Sequence, residues 1–204
     1  AHPDAERVAE AAAVLTSALN ASEGIPKDIL EEAVCVGVFP GASKQAFGAG
    51  QGAFARGIFT CRRPDGTMGA PAFYTLSPGH SPWPFGGEKT DLVVLVMTPE
   101  ARHKLVANRL TLGGDSSTVA GPLGRDLSTQ AQLDAGMLSW AHAEGSVSGA
   151  SLEGHVLAQD TKTTVTFYGS PIPAKELLLN PTIAPPKAAE HFVRLTNAYA
   201  NPAS

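Results

Sequence analysis

With 204 residues, 43% of them apolar and 17% charged, the chain is long enough for a hydrophobic core and too poor in charge for a coiled coil. Its 21 glycines and 16 prolines point to an irregular body of strands and turns, one domain with ordered extensions. A formal net charge of −4 with no basic stripe argues against sequence-independent nucleic-acid binding, and no run approaches the ~18 apolar residues of a membrane span.

The chain opens at AHPDAERV without an initiator methionine, as expected of a trimmed chain or of a mature protein whose signal peptide has been removed. Pro3 to Asn20 reads as a helix, because Val8, Ala11, Ala12, Leu15, Ala18 and Leu19 recur at three- and four-residue spacing. Its polar face is acidic, with Asp4, Glu6 and Glu10 against Arg7 alone. A second, short helix follows Ile25-Pro26, where proline suits a first turn.

The apolar, β-branched run Ala33 to Phe39 fits a strand buried on both faces and ended by Pro40-Gly41. Ala46 to Arg62 reads as a long strand with Gly48, Gly50 and Gly52 on one side. The turn Arg62 to Gly66 then returns the chain as Ala70 to Leu76, an antiparallel hairpin. Cys35 and Cys61 fall in strands that can be neighbours, so one disulfide in an oxidising compartment fits, as do two small buried thiols. A bridge would close a loop of about 25 residues and stabilise the fold by about 3 kcal/mol.

Ser77 to Gly87 is a loop rich in proline and glycine, and Asp91 to Met97 is another buried strand. Thr98 is placed to cap a helix that starts at Pro99 and runs to about Ala107. After a short strand at Leu110 to Leu112 and the GPLGR loop (Gly121 to Arg125), Gly136 to Gly145 and Ser146 to Asp160 form a second expected hairpin that pivots near Glu144-Gly145. A short helix at Asp160 to Tyr168 follows. Prolines 171, 173, 181, 185 and 186 then mark a surface connection to a last helix at Lys187 to Tyr199.

Enzyme signatures are weak. GAGQGA (Gly48 to Ala53) has the spacing of a dinucleotide fingerprint but neither opens a helix directly after a strand nor has a ribose-binding acid at the right distance. His2, His80, His103, His142, His155 and His191 are scattered, so no metal site and no cofactor are expected. Asp115, Glu153 or a histidine could serve a small hydrolase, whereas a turn-closing Asp115 and an Arg125 paired with a carboxylate on the rim are the plainer reading of that loop.

Six bases near the glycine-rich strands, Lys44, Arg56, Arg62, Arg63, Lys89 and Arg125, could form an anion-binding rim for a phosphorylated headgroup. Trp83 and Phe85, flanked by prolines, suit either an interfacial anchor or a loop that caps the core.

The ordered set IPKDIL (Ile25 to Leu30), AVCVGVFP, GAGQGAFAR, DGTMGAPAF (Asp65 to Phe73), TDLVVLVMTPEA (Thr90 to Ala101), LTLGGDSSTVAGPLGR (Leu110 to Arg125) and GSVSGASLEGHVL resembles the SYLF domain family. The family is also described as actin-regulating, WASP-binding domains in fungi and phosphoinositide-binding domains in animals and plants. The resemblance runs from about Val8 to Gly169. It implies an α+β fold: a curved, mainly antiparallel sheet or partial barrel with glycine-rich strands, packed by N-terminal, middle and C-terminal helices. On this reading residues 1–170 form the SYLF-like domain, and 171–204 form a Pro-rich connection and helix packed on or beside it.

Eukaryotic members of the family bind lipid through a basic amphipathic N-terminal helix, and the acidic helix here departs from that pattern. The function expected is non-enzymatic: a lipid-binding or membrane-associated domain of the bacterial cell envelope, extracytoplasmic, with a membrane lipid or envelope protein as partner. The alternative is a protein-interaction module that uses a sheet edge or the Pro-rich tail.

Overall fold

The computed structural model describes residues 3–20, 24–42, 55–79, 89–107, 109–113, 120–122, 135–143, 146–148 and 152–200. Helix α1 (Pro3–Asn20) covers the expected range and buries the expected stripe, with Ala11, Leu15 and Ala18 wholly inaccessible to solvent. Helix α2 (Lys27–Glu32) follows Pro26, and strand β1 (Cys35–Ala42) follows it closely. Pro40-Gly41 does not end that strand. The pairing instead shifts register between Phe39 and Ala42, and Gly41, with φ +64°, absorbs the irregularity.

Strands β2 (Ala55–Cys61) and β3 (Ala72–Ser77) form the expected antiparallel hairpin, while 46–54 lies outside the described residues. Strand β4 (Thr90–Val96) leads to helix α3 (Pro99–Leu105), whose cap is the Thr98 hydroxyl, accepting from the Ala101 amide at 3.2 Å. Short strands β5 (Arg109–Thr111) and β6 (Ala120–Pro122) precede β7 (Met137–Ala143), β8 (Ser146–Ser148) and β9 (Val156–Gln159).

Seven antiparallel strands in the order β5-β9-β3-β2-β1-β4-β7 curl into a half-barrel, and β6 and β8 share the outer edge of β7. The second expected hairpin is therefore only half right. Ser146–Ser148 turns back along β7, but Val156–Gln159 crosses to the far side of the sheet, where it lies between β3 and β5. The glycine-rich stretch GSVSGASLEG joins two distant strands.

Strand alternation sends side chains to two layers. Val36, Val38, Ile58, Phe73, Val93, Leu95 and Leu138 face α1, α2 and the last helix, α6 (Glu190–Ala200). Phe39, Phe59, Tyr74, Leu92 and Val94 face α3 and a helix that the proline content had concealed, α5 (Ala174–Leu179). Pro171 to Leu179 is thus more than a surface connection, because Ala174, Leu177 and Leu178 are fully buried. Gln159 fixes its start: its Oε1 accepts from the Ala174 amide at 2.9 Å and its Nε2 donates to the Ile172 carbonyl at 2.8 Å. Helix α4 (Thr161–Tyr168) lies between, capped by Asp160 and stopped by Gly169 in the left-handed region at φ +85°.

Two glycines let the central strands carry their aromatics. The Phe59 ring lies over Gly37 and the Phe39 ring over Gly57, so that a Cβ at either position would sit 2.3 Å or 2.6 Å from a ring carbon. The rings of Phe39, Phe59 and Tyr74 then meet edge to face, with centroids 5.9 and 5.1 Å apart. Beside them Cys35 and Cys61 stand opposite each other in register and are joined in a buried disulfide.

Candidate polar cleft at one end of the sheet

At the end of the sheet where β1 finishes and β2 and β4 begin, the layer facing α1 changes from apolar to polar. Arg56 shares its face with Ile58, Asp91 with Val93 and Leu95, and His142 with Trp140, on whose ring it stacks at 5.7 Å. Asp91 is paired in register with His142 and accepts from the Gly41 amide at 2.9 Å. This bond holds the irregular end of β1 against β4.

The first turns of α1 close over the Arg56 end of this row. Glu6, Arg7 and Glu10 join Pro40, Gly41, Ala55 and Arg56 around an open cleft of about 250 Å³. The Arg7 guanidinium lies 6.0 Å above the Phe73 ring, with Asp4 as its closest carboxylate at 3.7 Å. Burial holds its pKa below the ordinary arginine value; Asp4 opposes that shift and Arg56 reinforces it. Glu6, Glu10 and Arg56 are exposed, and none of them forms an ion pair among the described residues.

The six bases of the expected rim do not assemble there as a set. Arg56 and the exposed Lys89, which directly precedes β4, enter their strands at this end of the sheet. Lys44, Trp83, Phe85 and Arg125 lie outside the described residues, as does Asp115. Arg62 and Arg63 are at the opposite end and turn inward. Arg62 donates to the carbonyls of Glu31, Gly66 and Ala200 at 3.0, 3.1 and 3.2 Å. Arg63, 9% exposed, donates to the carbonyls of Ile183 and Leu177 at 2.6 and 3.4 Å. Both guanidiniums fasten the C-terminal part of the chain to the β2–β3 turn, and Asn197 adds a bond to the Met68 amide at 2.8 Å.

Glu153 is exposed in the turn before β9, while the nearby His155 is buried with its Nδ1 3.1 Å from the Leu152 carbonyl. Among the described residues no cluster of histidine, cysteine, aspartate or glutamate could hold a metal ion, and no helix is long and apolar enough to cross a membrane. Glu6, Arg7 and Glu10 line the cleft and were missed as a site by sequence reasoning, as was the Asp91–His142 pair in the adjoining strands. Only the acidic face of α1 hinted at them, because the others become neighbours through strand register.

The family whose model matches residues 80–199, more than half of the chain, is Ysc84, described as Las17-binding protein actin regulator. The chain belongs to this family. It is the family of the SYLF domain, as the ordered motifs imply. Similar Ysc84-family relatives include LAS seventeen-binding protein 3 of Saccharomyces cerevisiae, 29% identical over 88% of this chain and 40% of the relative. An SH3 domain-containing protein of Schizosaccharomyces pombe is 31% identical over 88% of this chain and 42% of its own length. The human SH3 domain-containing YSC84-like protein 1 is 31% identical over 67% of this chain and 41% of its own length. The chain therefore spans about two fifths of these Ysc84-family relatives.

Proposed function

We propose that this chain is a non-enzymatic binding domain that works outside the cytoplasm, in a bacterial envelope or as a secreted protein, and holds a membrane lipid at its polar cleft. The observation that carries this reading is the charge left without ion pairs around that opening, on Glu6, Glu10 and Arg56. The Cys35–Cys61 bond supports the compartment, since disulfides persist where the surroundings are oxidising. The buried apolar face of α1 supports contact through polar groups rather than by inserting that helix into lipid.

The test is vesicle flotation at low salt with neutral, zwitterionic and anionic lipids. Binding to at least one composition is expected, and protein that stays at the bottom of the gradient with every composition removes the lipid reading. A second reading, a protein partner, is favoured by the name of the yeast relative, which describes that protein as LAS seventeen-binding. Retention of a defined envelope protein by the intact chain, lost in the double variant Glu10→Gln/Arg56→Gln, would assign the cleft to that partner instead.

A further inference from the structure

Glu6 and Glu10 are four residues apart on α1, so their carboxylates lie side by side on one face of the helix. Arg7 and Arg56 form a second like-charged pair, from α1 and β2, on the same cleft. Each pair is internally repulsive. Asp4 and, at longer range, Glu10 relieve Arg7 in part, but Arg56, Glu6 and Glu10 have no ion pair among the described residues. Opposite charges therefore line one 250 Å³ opening, and of them Arg7 alone is ion-paired among the described residues, to Asp4.

An anion placed here meets two guanidiniums, one of them shared with Asp4, but is opposed by Glu6 and Glu10, and a simple cation faces the reverse problem. A small zwitterion satisfies both pairs at once. The cationic end must be a primary ammonium, because carboxylates accept its N–H hydrogen bonds, whereas a quaternary ammonium is recognised by aromatic rings. Among the described residues that line the cleft none is aromatic, and the Phe73 ring beneath it is already covered by Arg7.

We infer that the cleft binds the aminoalkyl phosphate headgroup of a zwitterionic phospholipid, with the phosphate on Arg56 and Arg7 and the primary ammonium between Glu6 and Glu10. This inference rests on the lipid-binding reading above and adds the headgroup class. Phosphate oxygens accept from guanidinium in paired geometry, which suits an anchor formed by two arginines.

Three vesicle compositions separate the possibilities: phosphatidylcholine alone, phosphatidylcholine with phosphatidylethanolamine, and phosphatidylcholine with phosphatidylglycerol. At least tenfold more protein is expected on the phosphatidylethanolamine vesicles than on phosphatidylcholine alone. Glu10→Gln and Arg56→Gln should each lower that binding about fivefold, with the thermal midpoint unchanged because both side chains are exposed. Millimolar free phosphoethanolamine should compete, and free phosphocholine should not.

Equal binding to ethanolamine and choline vesicles, or binding to the anionic vesicles alone, overturns the headgroup assignment and leaves the lipid reading standing. Absence of binding to all three overturns both. Titration of free phosphoethanolamine that moves Arg56 and Glu10 resonances without any vesicle binding would place the ligand in solution, and would overturn the membrane source.

Discussion

Gly57 shows how much the central strands depend on a missing side chain. A Cβ there would meet the Val38 carbonyl oxygen at 2.2 Å, and backbone of a neighbouring strand cannot give way as a side chain can. Gly57→Ala should therefore lower stability by about 3 kcal/mol, at the upper end of overpacking costs. Gly66 is a contrasting case: its φ of +87° is unfavourable for alanine, but open space surrounds it, so Gly66→Ala should cost about 1–2 kcal/mol. Urea midpoints of the two variants measure the difference. His155 adds a pH dependence. Burial lowers its pKa from the ordinary 6.5, against smaller opposing effects of the Glu153 and Leu152 backbone. A folded value below the unfolded one makes its contribution complete above about pH 6.5 and lost as pH falls through the folded value. The fall in urea midpoint between pH 7.5 and 5.0 should be shallower in His155→Gln than in the native chain.

At the scale of elements, α1 is held by the core rather than poised to leave it. Leu15 is fully buried among residues of α1, the sheet and α6, so Leu15→Ala should cost about 2–5 kcal/mol by calorimetry or denaturant titration. A helix resting loosely on the surface would show almost no loss. The bounds of α1 and the cap of α3 were legible because periodicity and capping are local signals. The path of β9 was not, since nothing in GSVSGASLEG distinguishes a turn back along β7 from a crossing to β3. Helix α5 was hidden by its flanking prolines, although Leu177 and Leu178, three and four residues after Ala174, mark a buried face. The cleft was least legible, because Glu6 and Glu10 of α1, Gly41 of β1 and Arg56 of β2 are far apart in sequence and meet only once α1 has docked on the paired strands.

For the whole molecule, the Cys35–Cys61 bond joins the central pair of strands across a separation of 26 residues. Closing a loop of that length stabilises by about 3 kcal/mol in the chain-entropy account, so a Cys35→Ala/Cys61→Ala variant should melt well below the native protein. Both sulfurs are shielded, since both cysteines are fully buried. Reduction by dithiothreitol should therefore proceed at the rate of unfolding, and a fast reduction at 25 °C would show that the hairpin base opens locally. The C-terminal segment belongs to the same framework. Arg62 and Arg63 tie Ala200, Leu177 and Ile183 to the turn next to Cys61.

The tie between Arg62 and Ala200 also gives the molecule a polarity. Glu6 and Arg7 sit at the cleft, where β2 starts, and Ala200 sits where β2 ends, about 20 Å away at the rise of an extended strand. A module fused after Ala200 would project away from whatever surface the cleft engages, whereas one fused ahead of Pro3 would be pressed against it. A fluorescent protein attached at each end in turn should leave vesicle binding intact in the first case and obstruct it in the second.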